Sequence, residues 1–382
     1  MKTINSLQNT YLDSKPRYEI LDGLRGVAAI IVLVYHLCEG CGIVLGHGYL
    51  GVDFFYALSG FVVGYAYDDR WGKMSIGGFF KRRIVRLHPM VLMGGLLGLC
   101  FYYFGASEAF PFIGQSPWWV VLLLFLYTSL MLPMPNAWDI RGWQDFNSFN
   151  GNAWSLYWEY VANILYALFF RFLPTAALAI LTAVAAIGTI DLTLNIDMFG
   201  LLDGRVGAPF TVNGGWSLTS SELYVGLVRV LYPFLVGLLM SRLKAIVSLR
   251  GAFGWCSLMI AAMFLVPQLD GVTNGIFEAV VILLFIPLIV SIGAGSKIKS
   301  ERANRLCTFL GELSYPLYIT HLPFIYMQIA WMSNHPDAPT GTVIMLAVSL
   351  FFVSIAVAYA SLKLYDLPVR KWLTEKWLKR KA

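Results

Sequence analysis

"LDGLRGVAAIIVLVYHLCEG" (residues 21–40) decides how the rest of the chain is read. It is apolar over the length of a bilayer crossing, which takes about 20 helical residues. It nevertheless carries Arg25 and His36. Ionisable groups at membrane depth are costly and face a bundle interior or a water-filled cavity. At about 100° per residue, eleven steps end roughly 20° past three full turns. Arg25 and His36 therefore share one stripe, about 16 Å apart. Asp22 and Glu39 extend that stripe by about a turn at either end, while Ile30, Ile31, Leu33 and Val34 cover the remaining surface. Such a helix reads as one wall of a polar path.

The rest of the 382-residue chain fits that reading. It is 58% hydrophobic and 13% charged, against about 25% charged in soluble domains. The expected fold is all-α, a polytopic membrane helical bundle. Eleven apolar runs approach crossing length, from 22–40 to 341–362. Basic clusters at 70–86, 242–250, 297–305 and 363–381 all fall inside, as positive-inside placement requires, when one run between 88 and 152 does not cross. The short run 117–132 is the best re-entrant segment, which membrane depth tolerates where backbone lines a cavity. The expectation is about ten transmembrane helices with both termini cytoplasmic. Residues 1–19 form a cytoplasmic N-terminal segment, 20–365 the transmembrane domain, and 366–382 a basic amphipathic tail at the membrane surface. Residues 1–19 do not look like a cleavable signal, so the first helix is expected to stay as an anchor.

The net charge of +6 suits basic cytoplasmic loops. No nucleic-acid motif accompanies it. Five cysteines scattered through apolar runs argue against a disulfide scaffold. Cys38 and Cys41, separated by two residues at the end of the first helix, read mainly as packing or free thiols. A local disulfide is the alternative, and the sequence supplies no tetrahedral partners for a metal.

Four more stretches carry chemistry. "FFKRRIVRLHP" (79–89) holds Lys81, Arg82, Arg83 and Arg86; guanidinium pairs match phosphate oxygens, and the plainer reading is a positive-inside anchor. "GVDFFYALSGFVVGY" (51–65) sets Asp53 and Ser59 among glycines that permit close helix approach. Asp53 either orients a histidine or caps its helix. "NAWSLYWEYVANILYA" (152–167) places Ser155, Glu159 and Asn163 on one face. "LGELSYPLYITHLPF" (310–324) puts Ser314, Tyr318 and His321 on one stripe, with Pro316 and Pro323 to bend the helix. Arg229 and Glu278, both deep in apolar runs, are expected to pair with each other. His47, His88 and His335 read as ordinary. On the expected topology, segments 133–152 and 191–221 face outward with Trp138, Trp143 and Trp216, suiting either a sugar face or an interfacial aromatic belt.

These blocks, in this order from about residue 19 to 370, resemble the bacterial integral-membrane acyltransferase family 3. The resemblance implies transfer of an acyl group, most often acetyl, from cytoplasmic acyl-CoA to a hydroxyl. The usual acceptors are cell-surface or lipid-linked carbohydrates. It implies that Arg25 and His36 line the reaction path and that Arg83 and Arg86, with Arg82 and Lys81 beside them, hold coenzyme A phosphates. Asp53, Ser155, Glu159, Tyr318 and His321 complete the expected catalytic set, with no metal and no permanently bound cofactor. "WSLYWEY" keeps one acid where many relatives show two, which leaves the role of Glu159 less certain. The oxyanion donor stays open among Tyr318, Ser59 and a helix N-terminus. Acceptor handling is expected to fall to the chain's own loops or to a partner, either polysaccharide-assembly proteins or a second copy of the chain. A bacterial plasma membrane is the expected location. A multi-span exporter is the rival reading, opposed by the absence of repeat symmetry. A non-catalytic assembly subunit is the other, opposed by the presence of both Arg25 and His36.

Overall fold

The computed structural model describes residues 15–378. Expectations for residues 1–14 and 379–382 lie outside the described residues. Twelve helices form and, among the described residues, no strand. They are α1 (Glu19–Gly40), α2 (Gly51–Tyr67), α3 (Ile76–Phe101), α4 (Trp118–Ser129), α5 (Ala153–Leu168), α6 (Thr175–Thr193), α7 (Ser220–Leu243), α8 (Ala252–Phe264), α9 (Gly271–Gly295), α10 (Glu301–Thr320), α11 (Leu322–Asn334) and α12 (Thr340–Leu378). Among the described residues, seven are long and apolar enough to cross a membrane by length and composition: α1, α2 with its preceding turn, α3, α6, α7, α9 and α12. The chain is thus a polytopic helical membrane protein.

Small residues set the core. α1 lies along α10 and α2 along α7, the two most extensive helix contacts. A β-carbon at Gly60 would overlap the Phe234 carbonyl, and one at Gly237 the Ala57 carbonyl. Gly23 and Gly26 in the same way admit Cys307 and Leu310 of α10. Without a hydrophobic drive between helices in lipid, this close approach supplies the dispersion contact that joins them.

Ion pairs and hydrogen bonds define the two ends of the bundle. At one end Lys15 pairs with Asp69 at 2.8 Å, and Arg242 joins Asp68 at 2.6 Å to the carbonyls of Phe170 and Leu173. At the other, Phe146 N donates to Trp216 O, His47 N to Phe264 O and Asn274 Nδ2 to Phe210 O. The chain enters α4 from this second end and returns to it, since Met134 N donates to Phe146 O. Between the two, the Ser129 backbone reaches His88, halfway along α3. Lys244, Arg250, Lys297, Lys299, Arg302 and Arg305 occupy loops or helix starts at the first end, so the bundle is electrically polarised along its axis.

The single apolar run 308–332 becomes two helices broken at His321. Pro323 has no N–H to offer Ile319 O. Asn150 Nδ2 takes that carbonyl at 2.7 Å, and Asn152 Nδ2 takes Tyr318 O at 2.8 Å. These two carbonyls at the break are thus hydrogen-bonded from the loop before α5, as irregular backbone at this depth requires.

Candidate active site

Three cavities run in series through the bundle. A mouth of about 400 Å3 at the basic end is lined by Arg17, Arg25, Arg83, Arg86 and Arg370 among others. A throat of about 150 Å3 follows, with Ser59, Ser155, Glu159, Ser314 and Tyr318 in its wall. Arg25, Val62, Arg83 and Arg86 belong to both. A vestibule of about 740 Å3 at the opposite end contains His36, Glu39, Trp143, Asp145, Trp154, Trp216 and Arg229. Throat and vestibule share Val52 and Tyr318, which form the partition between them.

Each wall residue is held differently. Arg25 Nε donates to Ser314 Oγ and Nη2 to Gly311 O, both at 2.8 Å, with Asp22 3.5 Å away. Arg83 Nη2 meets Glu159 Oε1 at 2.6 Å, and Ser59 Oγ donates to the same oxygen at 2.8 Å. Arg86 has no hydrogen-bond or ion-pair partner among the described residues. The carboxylates of Asp366 and Asp22 act on it without close contact, and a guanidinium so placed favours an anion beside it. Tyr318 OH and Ser155 Oγ are 2.7 Å apart, and Phe55 packs edge-on to the Tyr318 ring.

The two histidines fix each other's tautomers. His321 is fully buried, and its Nδ1 lies 2.8 Å from Leu317 O. A carbonyl only accepts, so Nδ1 carries the proton and Nε2 is a lone pair. Asn152 Nδ2 approaches that lone pair at 3.2 Å and His36 Nδ1 at 2.9 Å. His36 Nδ1 is therefore the donor, which leaves His36 Nε2 unprotonated, and the ring borders the vestibule. The assignment follows from hydrogen bonding alone.

Several expectations are corrected. Asp53 neither orients a histidine nor caps α2. It is paired with Arg229 at 2.8 Å, both side chains fully enclosed. The expected Arg229–Glu278 pair does not form. Glu278 accepts instead from Tyr49 OH, Asn274 Nδ2 and Val212 N, tying three outer segments together. Asp53 lies closer along α2 to Arg229 on α7, and the α2–α7 glycine contact brings the two charges face to face. Arg82 folds back onto Gly78 O of its own helix and Lys81 is exposed, so neither lines the mouth or throat. His321, at the break, keeps helical backbone and packs its ring edge-on to Tyr318, with centroids 6.2 Å apart. His47 is buried between Val266 O and Asn274 Oδ1, a structural tie. Trp138 packs on Tyr127 outside the vestibule, whereas Trp143 and Trp216 line it. Sequence reasoning missed Asn150, Asn152 and the vestibule role of Arg229. The N–x–N spacing ahead of "AWS" is the only trace the asparagines leave.

Among the described residues Asp145, in the outer loop, accepts only a long 3.4 Å bond from Tyr326 OH. Burial, with Asp139 adding to it and Arg141 opposing, pushes its carboxyl up to about 7. An unfolded aspartate titrates near about 3.9. Between those values the folded protein keeps a proton that the unfolded chain releases, so stability falls as pH rises through the window. The expected outcome is a melting temperature that drops from about pH 4 to about pH 7 in the wild type. Asp145→Asn should flatten that slope; an unchanged slope would remove Asp145 as its source.

A many-helix bundle with a histidine lone pair set in a polar path through it is the layout of a membrane-embedded group-transfer protein. The family described as "Acyltransferase domain" matches residues 18–363, and the chain belongs to this acyltransferase 3 family. Protein 2 in the picA locus of Rhizobium radiobacter is 35% identical over 158 residues, 40% of this chain and 81% of that protein. A putative O-acetyltransferase of Staphylococcus aureus strain COL is 22% identical over 92% of this chain and 57% of its own length. The O-acetyltransferase OatA of Staphylococcus aureus strain NCTC 8325 is 26% identical over 85% of this chain and 53% of its own. The chain thus spans little more than half the length of the staphylococcal relatives. No solved structure matches it.

Proposed function

We propose that this protein is a bacterial plasma-membrane O-acyltransferase that takes an acyl group, most simply acetyl, from cytoplasmic acyl-CoA. The acceptor is a hydroxyl of a cell-envelope carbohydrate presented at the opposite face. The carrying observation is the series of cavities from a cationic mouth to an imidazole lone pair. In this reading the chain crosses the membrane ten times, α10 and α11 together making one crossing and α4 none. Both ends then lie with the basic loops in the cytoplasm.

The coenzyme's phosphates rest on Arg86 and Arg25 at the head of the throat, and its pantetheine arm runs toward Tyr318. Arg83 is already neutralised by Glu159, so it braces the wall and contributes fewer free donors than Arg86. His36 Nε2 takes the proton of the acceptor hydroxyl as the oxygen attacks the thioester carbonyl. Collapse of the tetrahedral species breaks the C–S bond. The imidazolium then returns the proton to the leaving thiolate, giving free coenzyme A and the ester. His321 Nε2 keeps accepting from His36 Nδ1 throughout and holds the ring in place. Tyr318 OH, at the partition, is the hydroxyl donor for the developing oxyanion. Trp143, Trp154 and Trp216 offer faces for the C–H surface of a sugar.

The test uses inverted membrane vesicles with radiolabelled acetyl-CoA and an envelope-glycan extract. Label should reach glycan in wild type and not in His36→Ala. Absence of transfer with both acetyl and succinyl donors, with native extract present, would overturn the enzyme reading in favour of a transport path.

A further inference from the structure

The two ends of the path carry opposite charge. The mouth gathers cationic side chains. The vestibule holds two carboxylates, Glu39 and Asp145, against one guanidinium, Arg229, which Asp53 already matches at 2.8 Å. Glu39 accepts from Tyr35 one turn back along α1. Asp145 is only 8% exposed and lines the vestibule. Its Oδ2 has the long bond from Tyr326 OH, and its Oδ1 has no hydrogen-bond partner among the described residues. A carboxylate withdrawn from water needs donors for its lone pairs.

The loop that carries Asp145 is held in place. The Asp139 carboxylate accepts from Arg141 N and Gly142 N at 2.9 Å, from Gln144 N at 2.7 Å and from Ser148 Oγ at 3.1 Å. Gly142 takes φ +105° in that turn, a conformation that glycine alone adopts readily. Trp143 follows it. Its Nε1 donates to Ala109 O at 3.0 Å, and its ring packs on Phe110 with centroids 4.9 Å apart. Trp143 is nevertheless 40% exposed, and it lines the vestibule with Asp145. A fixed indole two residues from an under-bonded carboxylate suits a sugar ring: the indole takes its C–H face, and the carboxylate takes charge-assisted bonds from its hydroxyls. A loop already fixed in shape loses little freedom on binding. The same loop reaches the histidine pair. Gly151 N donates to Tyr326 OH at 2.9 Å, and Asn152 Nδ2, on the next residue, lies 3.2 Å from His321 Nε2.

Resting on the acyltransferase reading above, we infer that Asp145 and Trp143 select the acceptor: they take an uncharged sugar residue, its ring on Trp143 and two adjacent hydroxyls on the Asp145 carboxylate, and they exclude a glycan that is acidic at that residue. A uronate or phosphate placed there meets Glu39 and Asp145, and the one lining guanidinium is already paired. Burial has pushed the Asp145 carboxyl up to about 7, and a second negative charge beside it makes its ionised form costlier still. Hydroxyls bring no such cost. The vestibule's volume of about 740 Å3 falls within the usual range of ligand pockets, about 300–1,000 Å3, and accommodates the end of a glycan chain.

The test gives the full chain in nanodiscs, which leave both faces open, radiolabelled acetyl-CoA and the envelope-glycan extract separated by charge. Label should enter the neutral fraction in preference to the acidic one. Reducing the carboxyls of the acidic fraction to alcohols should raise its use. Asp145→Asn keeps the shape and removes the charge. It should raise KM for the neutral fraction about tenfold, leave KM for acetyl-CoA unchanged and narrow the preference for neutral over acidic glycan. Trp143→Leu should raise KM for the neutral fraction more than Trp143→Phe. A merely structural defect would lower kcat on both fractions and leave the preference where it was. Preferential labelling of the acidic fraction by wild type, or a preference unmoved by Asp145→Asn, would overturn the selection. If no fraction is acylated, equilibrium binding of end-labelled neutral glycan decides separately. Binding weakened by Asp145→Asn would uphold the sugar site and sink the proposed reaction; no binding, or equal binding by both proteins, would sink the site.

Discussion

His36→Ala is expected to lower acyl transfer by about 10²–10⁴-fold, the usual contribution of a positioned general base, without unfolding the bundle. His36 borders an open vestibule, so its removal leaves a modest space rather than a stranded charge. The discriminating partner is His321. His321→Ala deletes the acceptor that keeps the proton on His36 Nδ1, so kcat should fall steeply while KM for the donor stays near wild type. His321→Gln restores an acceptor oxygen near Nε2 and should recover a measurable part of the rate. Nitrogen NMR of labelled imidazole provides a readout that a merely structural role would not move. His36 should be a single Nδ1–H tautomer in wild type and a mixture in His321→Ala. A His36→Ala variant with wild-type turnover would end the general-base assignment.

The second large effect lies away from the chemistry. Arg229→Met leaves Asp53 as an unpaired carboxylate with no exposure, and Asp53→Leu leaves the equally enclosed guanidinium unmatched. Breaking a buried pair from one side costs about 3–5 kcal/mol. Each single variant should therefore show a sharply lowered melting temperature and poor yield. The double variant should recover much of the loss, although Tyr49 O and Gly214 O remain without the donors that Arg229 supplies. Additive destabilisation in the double variant would show that the two residues act independently.

The helices and the polar stripe were legible because they depend on period and composition. Arg25 and His36 had to share a face once α1 was a helix, and the basic clusters had to gather at one end. Long-range pairing was not legible. Nothing local distinguishes Asp53–Arg229 from Arg229–Glu278; the choice is made by where the α2 and α7 glycines let the helices meet. The same holds at His321. Two prolines announced a bend, but a break capped by Asn150 and Asn152 depends on a loop nearly 170 positions away in the chain. Arg82 and Lys81 share the composition of the phosphate-binding cluster and not its direction, which only the packing of α3 decides.

The thin partition at Val52 and Tyr318 has an electrical consequence. With water filling the mouth, throat and vestibule, the membrane voltage would not decline evenly over the protein's thickness. It would be compressed into the side chains that separate throat from vestibule. A full elementary charge carried across that layer exchanges about 2.3 kcal/mol per 100 mV with the membrane. Charge that stays on one side exchanges almost nothing. In the proposed reaction the acyl group crosses uncharged, so its passage costs the cell's energised membrane nothing, whereas any route that carried a proton through with it would run faster or slower as the membrane is polarised.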